Sequence, residues 1–221
     1  MEYTLAKLLT VNAVSAALIT GFLIAAKRLK FGRRIEIAVG AFGLLGWLYM
    51  QWWFWNRPDF DPSNHYPLHV CDFSSGLVVL AMIWPARALR SLIYFLAPSA
   101  LLAFILPTGT ADLGDLAFWL FWAGHIAIIG MFPYEVWVRG FRPAKRDYLF
   151  AVGFATIYFI IMFVLGWQME WNYAYVGKKG PPFHMGGWPW HAPIMFTLVN
   201  IAFYLLYIAG RRKVAPSSVK V

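Results

Sequence analysis

TLAKLLTVNAVSAALITGFLIAAKRLK, residues 4–30, runs from Thr4 to Ala26 with Lys7 as its only charge and then places Lys27, Arg28 and Lys30 together. A bilayer core of about 30 Å takes roughly 20 apolar residues in a helix, so the stretch reads as a membrane span ending in a basic anchor. The basic cluster follows the apolar run, and the run is too long for a signal-peptide core. The segment is therefore expected to stay in the protein. The pattern recurs in apolar runs near 35–55, 68–85, 89–107, 113–133, 148–169 and 192–210. The expected fold is all-α: a polytopic membrane protein of seven transmembrane helices. They form one domain over 1–213, and the polar tail 214–221 is expected to be disordered.

Composition agrees. Of 221 residues, 61% are hydrophobic and 13% charged, against about 25% charged in a soluble domain. A soluble globular fold is excluded. The net charge of +9 does not point to nucleic acid, because the basic residues sit between the apolar runs. With the N-terminus outside and the C-terminus cytoplasmic, every Lys and Arg except Lys7, Arg57, Lys178 and Lys179 falls on the inner side, as the positive-inside rule requires. The expected location is the cell (inner) membrane, multi-pass, with the lipid bilayer as partner. The weakest boundary is the turn at Pro85, Arg87 and Arg90, where the third and fourth spans could fuse. Most tryptophans fall toward the outer half and read as an interfacial belt or an aromatic lipid mouth.

Polar groups inside spans are expensive and mark functional sites. HYPLHVCDFSS, residues 65–75, is the densest such cluster. Pro67 suits a first helical turn, so the third helix is expected to start near Tyr66, with Cys71 at its outer end. A helix N-terminus favours the thiolate, whereas Asp72 and an apolar setting oppose it. Ser74 and Ser75 share the face of Cys71, and His69 shares a neighbouring face with Asp72. In the fifth helix His125 has no charged neighbour within a turn. If the third and fifth helices pack together it becomes the base for Cys71, with Asp72 or Asp115 orienting its other nitrogen. His125 lies roughly 18 Å below the start of its helix, so a shared site needs tilt or a cavity.

The 22-residue connection EWNYAYVGKKGPPFHMGGWPWH, 170–191, is rich in aromatics, Gly and Pro. It reads as an ordered lid over the outer surface. His65, His184 and His191 fall on the same side with Asp59, Asp61, Asp112, Asp115 and Glu170, so a zinc site with an open position is a weak alternative without the HExxH spacing. One cysteine excludes an internal disulfide and a cysteine zinc cage. The seventh helix has no lysine for a retinal Schiff base. The chain also has no Gly-rich phosphate loop, no arginine run along a span and no Cys-x-x-Cys-His for haem.

HYPLHVCDFSS, the His125 helix and the WNYAY…GGWPWH loop together resemble the YwaF-like bacterial integral membrane family. That family is related to a eukaryotic multispanning family proposed to move acyl chains between phospholipids, and its fold is likened to androgen-induced intramembrane lipid hydrolases. The resemblance rests on Leu68, Cys71 and Ser74, on Asn172 and Tyr173, and on Gly187–Trp190, in that order along the chain. It implies a thiol nucleophile at Cys71 with a transmembrane histidine at His125.

Together these readings give an intramembrane lipid acyltransferase or acyl hydrolase, with Cys71, His125 and Asp72 catalytic. The substrate-binding set is His69, Ser74, Ser75, Asn172, Tyr173, Trp188, Trp190 and His191. Asn172 or the Trp188–Trp190 backbone would stabilise the oxyanion. The substrate is a membrane phospholipid or lysolipid, and no cofactor or metal is expected. The rivals are a zinc-dependent lipid amidase or hydrolase using His69, His125, a further outer histidine and Asp72, and a non-enzymatic lipid-binding or transport protein.

Overall fold

The computed structural model describes residues 5–105, 114–181 and 184–211. The tail 214–221 and Asp112 lie outside them. Nine α-helices are found among these residues: α1 (Leu5–Arg28), α2 (Arg33–Trp55), α3 (Pro62–His65), α4 (Val70–Ile83), α5 (Arg87–Leu96), α6 (Leu101–Ile105), α7 (Leu116–Pro133), α8 (Lys145–Met169) and α9 (His191–Gly210). A 3₁₀ turn at Ala97–Ala100 joins α5 to α6, and a π turn at Tyr134–Val138 extends α7. Pro133 lacks the N–H that the α ladder needs, so the last turn widens and Arg139 N–H bonds Tyr134 O at 3.0 Å.

Among the described residues six segments are long and apolar enough to cross a membrane: Ala6–Arg28, Arg33–Trp55, Arg87–Ile105, Leu116–Val138, Lys145–Met169 and His191–Gly210. Their outward faces carry large apolar side chains that only lipid would tolerate, such as Phe42 at 81% and Ile157 at 62% exposed. The third expected span departs from this pattern. It is the 14-residue α4, about 21 Å long and too short to cross alone. It starts at Val70 rather than Tyr66, because Pro67 belongs to a preceding turn and not to the helix. The turn Trp84–Ala86 keeps α4 and α5 separate, so the feared fusion does not occur.

Hydrogen bonds fix the direction of each helix. Arg33 at the start of α2 donates to Met82 O at 2.6 Å and to Ile83 O at the end of α4. Lys27 at the end of α1 reaches Trp137 O at 2.9 Å, and Arg87 at the start of α5 pairs with Asp147 at the start of α8. Tyr94 of α5 donates to Leu206 O near the end of α9 at 2.9 Å. One end of the bundle thus collects the ends of α1, α4, α7 and α9 and the starts of α2, α5 and α8. This is the basic end.

α4 packs against α2, α5 and α7. Ala26, Ala81, Ala97, Ala100 and Ala151 in this core are at most 1% exposed, and such small side chains let helix backbones approach closely. At the opposite end α4 stops short, and the space above it is filled by residues 56–69 and 170–181. Tyr173 is the keystone: its hydroxyl donates to Pro62 O at 2.5 Å and accepts from Tyr66 N–H at 3.0 Å. Tyr173 and Val176 are 1% and 0% exposed. The 170–181 segment is thus a plug built into the bundle, deeper than a lid on the outer surface.

Candidate functional site

Tyr158 sets the depth of the site. It lies 13 residues into α8, about 20 Å along the axis, and its hydroxyl donates to Leu68 O at 2.5 Å. Leu68 is therefore held near the middle of α8, and α4 begins there, inside the bundle. A helix N-terminus leaves its first N–H groups without intrahelical acceptors. His69, the N-cap residue, supplies no side-chain acceptor for them. The N–H groups of Cys71 and Asp72 thus lie in an uncapped first turn, at the positive end of the helix dipole.

A cavity of about 600 Å³ opens beside this turn. His69, Cys71 and Asp72 line it from α4, His125 and Phe121 from α7, and Phe154, Tyr158 and Phe159 from α8. Ala174 and Tyr175 of the roof close it, and α5, α6 and α9 contribute mostly apolar side chains. Cys71 of α4 and His125 of α7 thus line one cavity from two different helices.

His125 is 7% exposed, and its Nδ1 lies 2.8 Å from Phe121 O, one turn earlier in α7. An imidazole nitrogen facing a carbonyl carries the proton, so Nε2 is left with its lone pair. The orienting partner is this backbone carbonyl. Asp115 instead caps α7, accepting from Ala117 N–H at 2.9 Å. The Asp72 carboxylate has no hydrogen-bond partner among the described residues, and neither does the Cys71 thiol. His69 is fixed by aromatic contacts, with Tyr173 at 4.8 Å and Tyr175 at 5.7 Å between ring centroids.

The rest of the expected binding set does not line the cavity. Ser75 donates to Asp72 O at 2.7 Å, and Ser74 is buried with its hydroxyl unpartnered. Asn172 donates to Gly180 O at 2.8 Å. His191 Nε2 bonds Gly177 O at 2.9 Å, Trp188 stacks on Phe163 at 5.0 Å, and Trp190 is 70% exposed. Asn172 and His191 tie the described part of the 170–191 connection to itself, and Trp188 seats it on α8. Asn172, Trp188 and Trp190, expected to stabilise an oxyanion, do not line the cavity.

Among the described residues no three His, Cys, Asp or Glu side chains come together as a metal site. Asp59 pairs with Arg57, and Asp61 caps α3. Glu170 pairs with Lys178, which holds its carboxyl below the usual range. Burial pushes the Tyr173 phenol up to about 12, so it remains a neutral donor.

Fold and cavity define a multi-pass α-helical membrane protein with a polar site inside its bundle. The model of the TMEM164 family matches residues 2–207, and the chain belongs to that family. No curated protein and no solved structure matches it.

Proposed function

We propose that the cavity takes the acyl chain of a membrane lipid ester and that Cys71 accepts the acyl group, passing it to a lysolipid or to water. One observation carries the reading. A thiol on an uncapped helix N-terminus and an imidazole with a free Nε2 line the same largely apolar cavity. Its volume of about 600 Å³ is within the usual range for ligand sites, roughly 300–1,000 Å³. The cavity-lining Leu102 and Leu198 are 51% and 50% exposed on the membrane side, which supports lateral entry of a lipid.

His125 Nε2 takes the proton of the Cys71 thiol as Sγ attacks the ester carbonyl carbon. The oxyanion is met by the N–H groups of Cys71 and Asp72, and the Asp72 carboxylate offsets the imidazolium. Collapse breaks the ester C–O bond, and His125 returns its proton to the departing lysolipid oxygen. A second hydroxyl, from lysolipid or water, then gives its proton to His125 and attacks the thioester. Cys71 leaves and is reprotonated. The bond between His125 and its substrate-bound partner need not be formed in the free protein, since catalytic hydrogen bonds commonly tighten on binding.

On the order of its Cys71 and Gly187–Trp190 motifs, we place the chain beside the YwaF-like bacterial proteins. The basic end is assigned to the cytoplasmic face of the inner membrane, with seven passes in which residues 56–69 and α4 make the third.

The test is the intact mass of purified protein after brief incubation with mixed phospholipids, with the adduct mapped by peptide sequencing. A hydroxylamine-sensitive acyl increment on Cys71 is expected in wild type, lost in Cys71→Ala and reduced about 10²- to 10⁴-fold in rate in His125→Ala. Unchanged lipid turnover in folded Cys71→Ala would overturn the mechanism. Saturable lipid binding with no adduct and no product would make the protein a carrier.

A further inference from the structure

A second pocket, of about 910 Å³, lies at the basic end, remote from Cys71. Five guanidinium groups line it: Arg87, Arg90, Arg139, Arg142 and Arg211. Three carboxylates beneath them account for only part of this charge. Asp147 takes Arg87, Glu135 takes Arg90 and Arg139, and Glu36 takes Arg139 as well. Arg142 and Arg211 have no carboxylate partner among the described residues. Arg142 spends Nη1 on the carbonyls of Val136 and Phe141, and the rest of its guanidinium has no acceptor there. Arg211 lies over the Tyr207 ring at 5.8 Å. Arg90 Nη2 is buried without a partner, an expensive donor to leave unsatisfied.

The pocket is therefore a cationic cup whose inner layer is neutralised and whose rim is not. Its walls come from the start of α5, the segment after α7, and the end of α9. Those helix ends lie at the depth of lipid headgroups. Phe141, Pro143 and Tyr207 give it an apolar side, suited to a glycerol backbone next to a charged group. Arginine forks match phosphate oxygens bidentately. We propose that this pocket binds a phosphate group, presented by the headgroup of an anionic lipid at the membrane edge. A positive-inside signal alone needs charge but neither a pocket nor a fork. The proposal goes beyond the acyl-transfer reading and does not depend on Cys71.

The test measures binding of dihexanoyl phosphatidate to the purified full-length protein by native mass spectrometry, in wild type and in Cys71→Ala. Saturable binding is expected in both. Arg142→Gln with Arg211→Gln should weaken it by about tenfold or more. Arg142→Lys with Arg211→Lys preserves charge and topology and should weaken it less. Arg211→Gln alone, at the exposed end of α9, serves if the double variant does not fold. Unchanged affinity in a folded Gln variant would overturn the proposal. Equal affinity for dihexanoylglycerol, which lacks the phosphate, would show an apolar groove and overturn it too. Inorganic phosphate competing at the same concentration as phosphatidate would reassign the pocket to free phosphate and overturn the lipid source.

Discussion

The position of Cys71, the proposed nucleophile, depends on where a single tyrosine holds the chain. Tyr158 bonds Leu68 O just before α4 begins, so it positions the first turn, whose residues line the cavity. It touches the chain beside the proposed nucleophile and would act through it. Tyr158→Phe keeps the ring but deletes that bond, at a cost of about 1 kcal/mol. The expected outcome is a slower Cys71 acyl increment with a nearly unchanged melting temperature. Alkylation of Cys71 by a small maleimide should be retained. Acylation at the wild-type rate would remove Tyr158 from the positioning role. Cys71, His69, Asp72 and His125 were legible in the sequence because ionisable groups are conspicuous among apolar neighbours. Tyr158 was not, since a phenol in an apolar run reads as aromatic filler. Phe121 O could not be read either, because every residue carries a backbone carbonyl.

At the scale of elements, α4 and the roof form one unit. The roof rests on α8 at two glycines. A Cβ at Gly166 would meet Gly177 Cα at 2.8 Å and Trp171 O at 2.9 Å, and these are backbone atoms that cannot swing aside. Gly166→Ala is expected to lift the roof and destabilise by about 1–3 kcal/mol. It should lower the melting temperature by several degrees and open the cavity to solvent, read as faster maleimide labelling of Cys71. An unchanged melting temperature and labelling rate would show that the roof is not seated there. Tyr173 gives the roof a pH dependence. Burial pushes its phenol up to about 12, against about 10 in the unfolded chain, so the folded state holds the proton more tightly. The linked stability is complete below about pH 10 and falls as pH rises toward 12. Tyr173→Phe should flatten that slope in denaturation followed from pH 9 to 12, and an unaltered slope would assign it elsewhere. The aromatic, Gly-rich composition of 170–191 made an ordered segment legible. Its depth was not, because it depends on α4 starting four residues later than Pro67 suggested, and local turn chemistry at Pro67 does not report the distant contact with Tyr158.

At the scale of the whole molecule, six of the seven expected spans were legible from apolar run length and basic boundaries, and the basic end also carries structure. Glu36, Glu135 and Asp147 sit near the ends of their helices, each within four residues of an arginine in sequence, and a charge count treats them as minor debits. In three dimensions they join α2, α5, α7 and α8. Glu135 is fully buried between Arg90 at 2.6 Å and Arg139 at 2.5 Å, and Glu36 accepts from Tyr134 at 2.7 Å and from Arg139 at 2.9 Å. Removing one member of such a network leaves a buried charge uncompensated, which is costly even where the intact pair contributes little net stability. Glu135→Gln retains the shape of the side chain but leaves Arg90 and Arg139 sharing a neutral amide. A loss of about 3–5 kcal/mol is expected, enough to unfold much of the population of a marginally stable protein. Glu170→Gln, at an exposed pair, should leave the melting temperature unchanged. If purified Glu135→Gln melts with wild type, the helices are held by apolar packing around α4 alone, and the arginines at this end are free to serve the pocket and the orientation of the chain without a structural share.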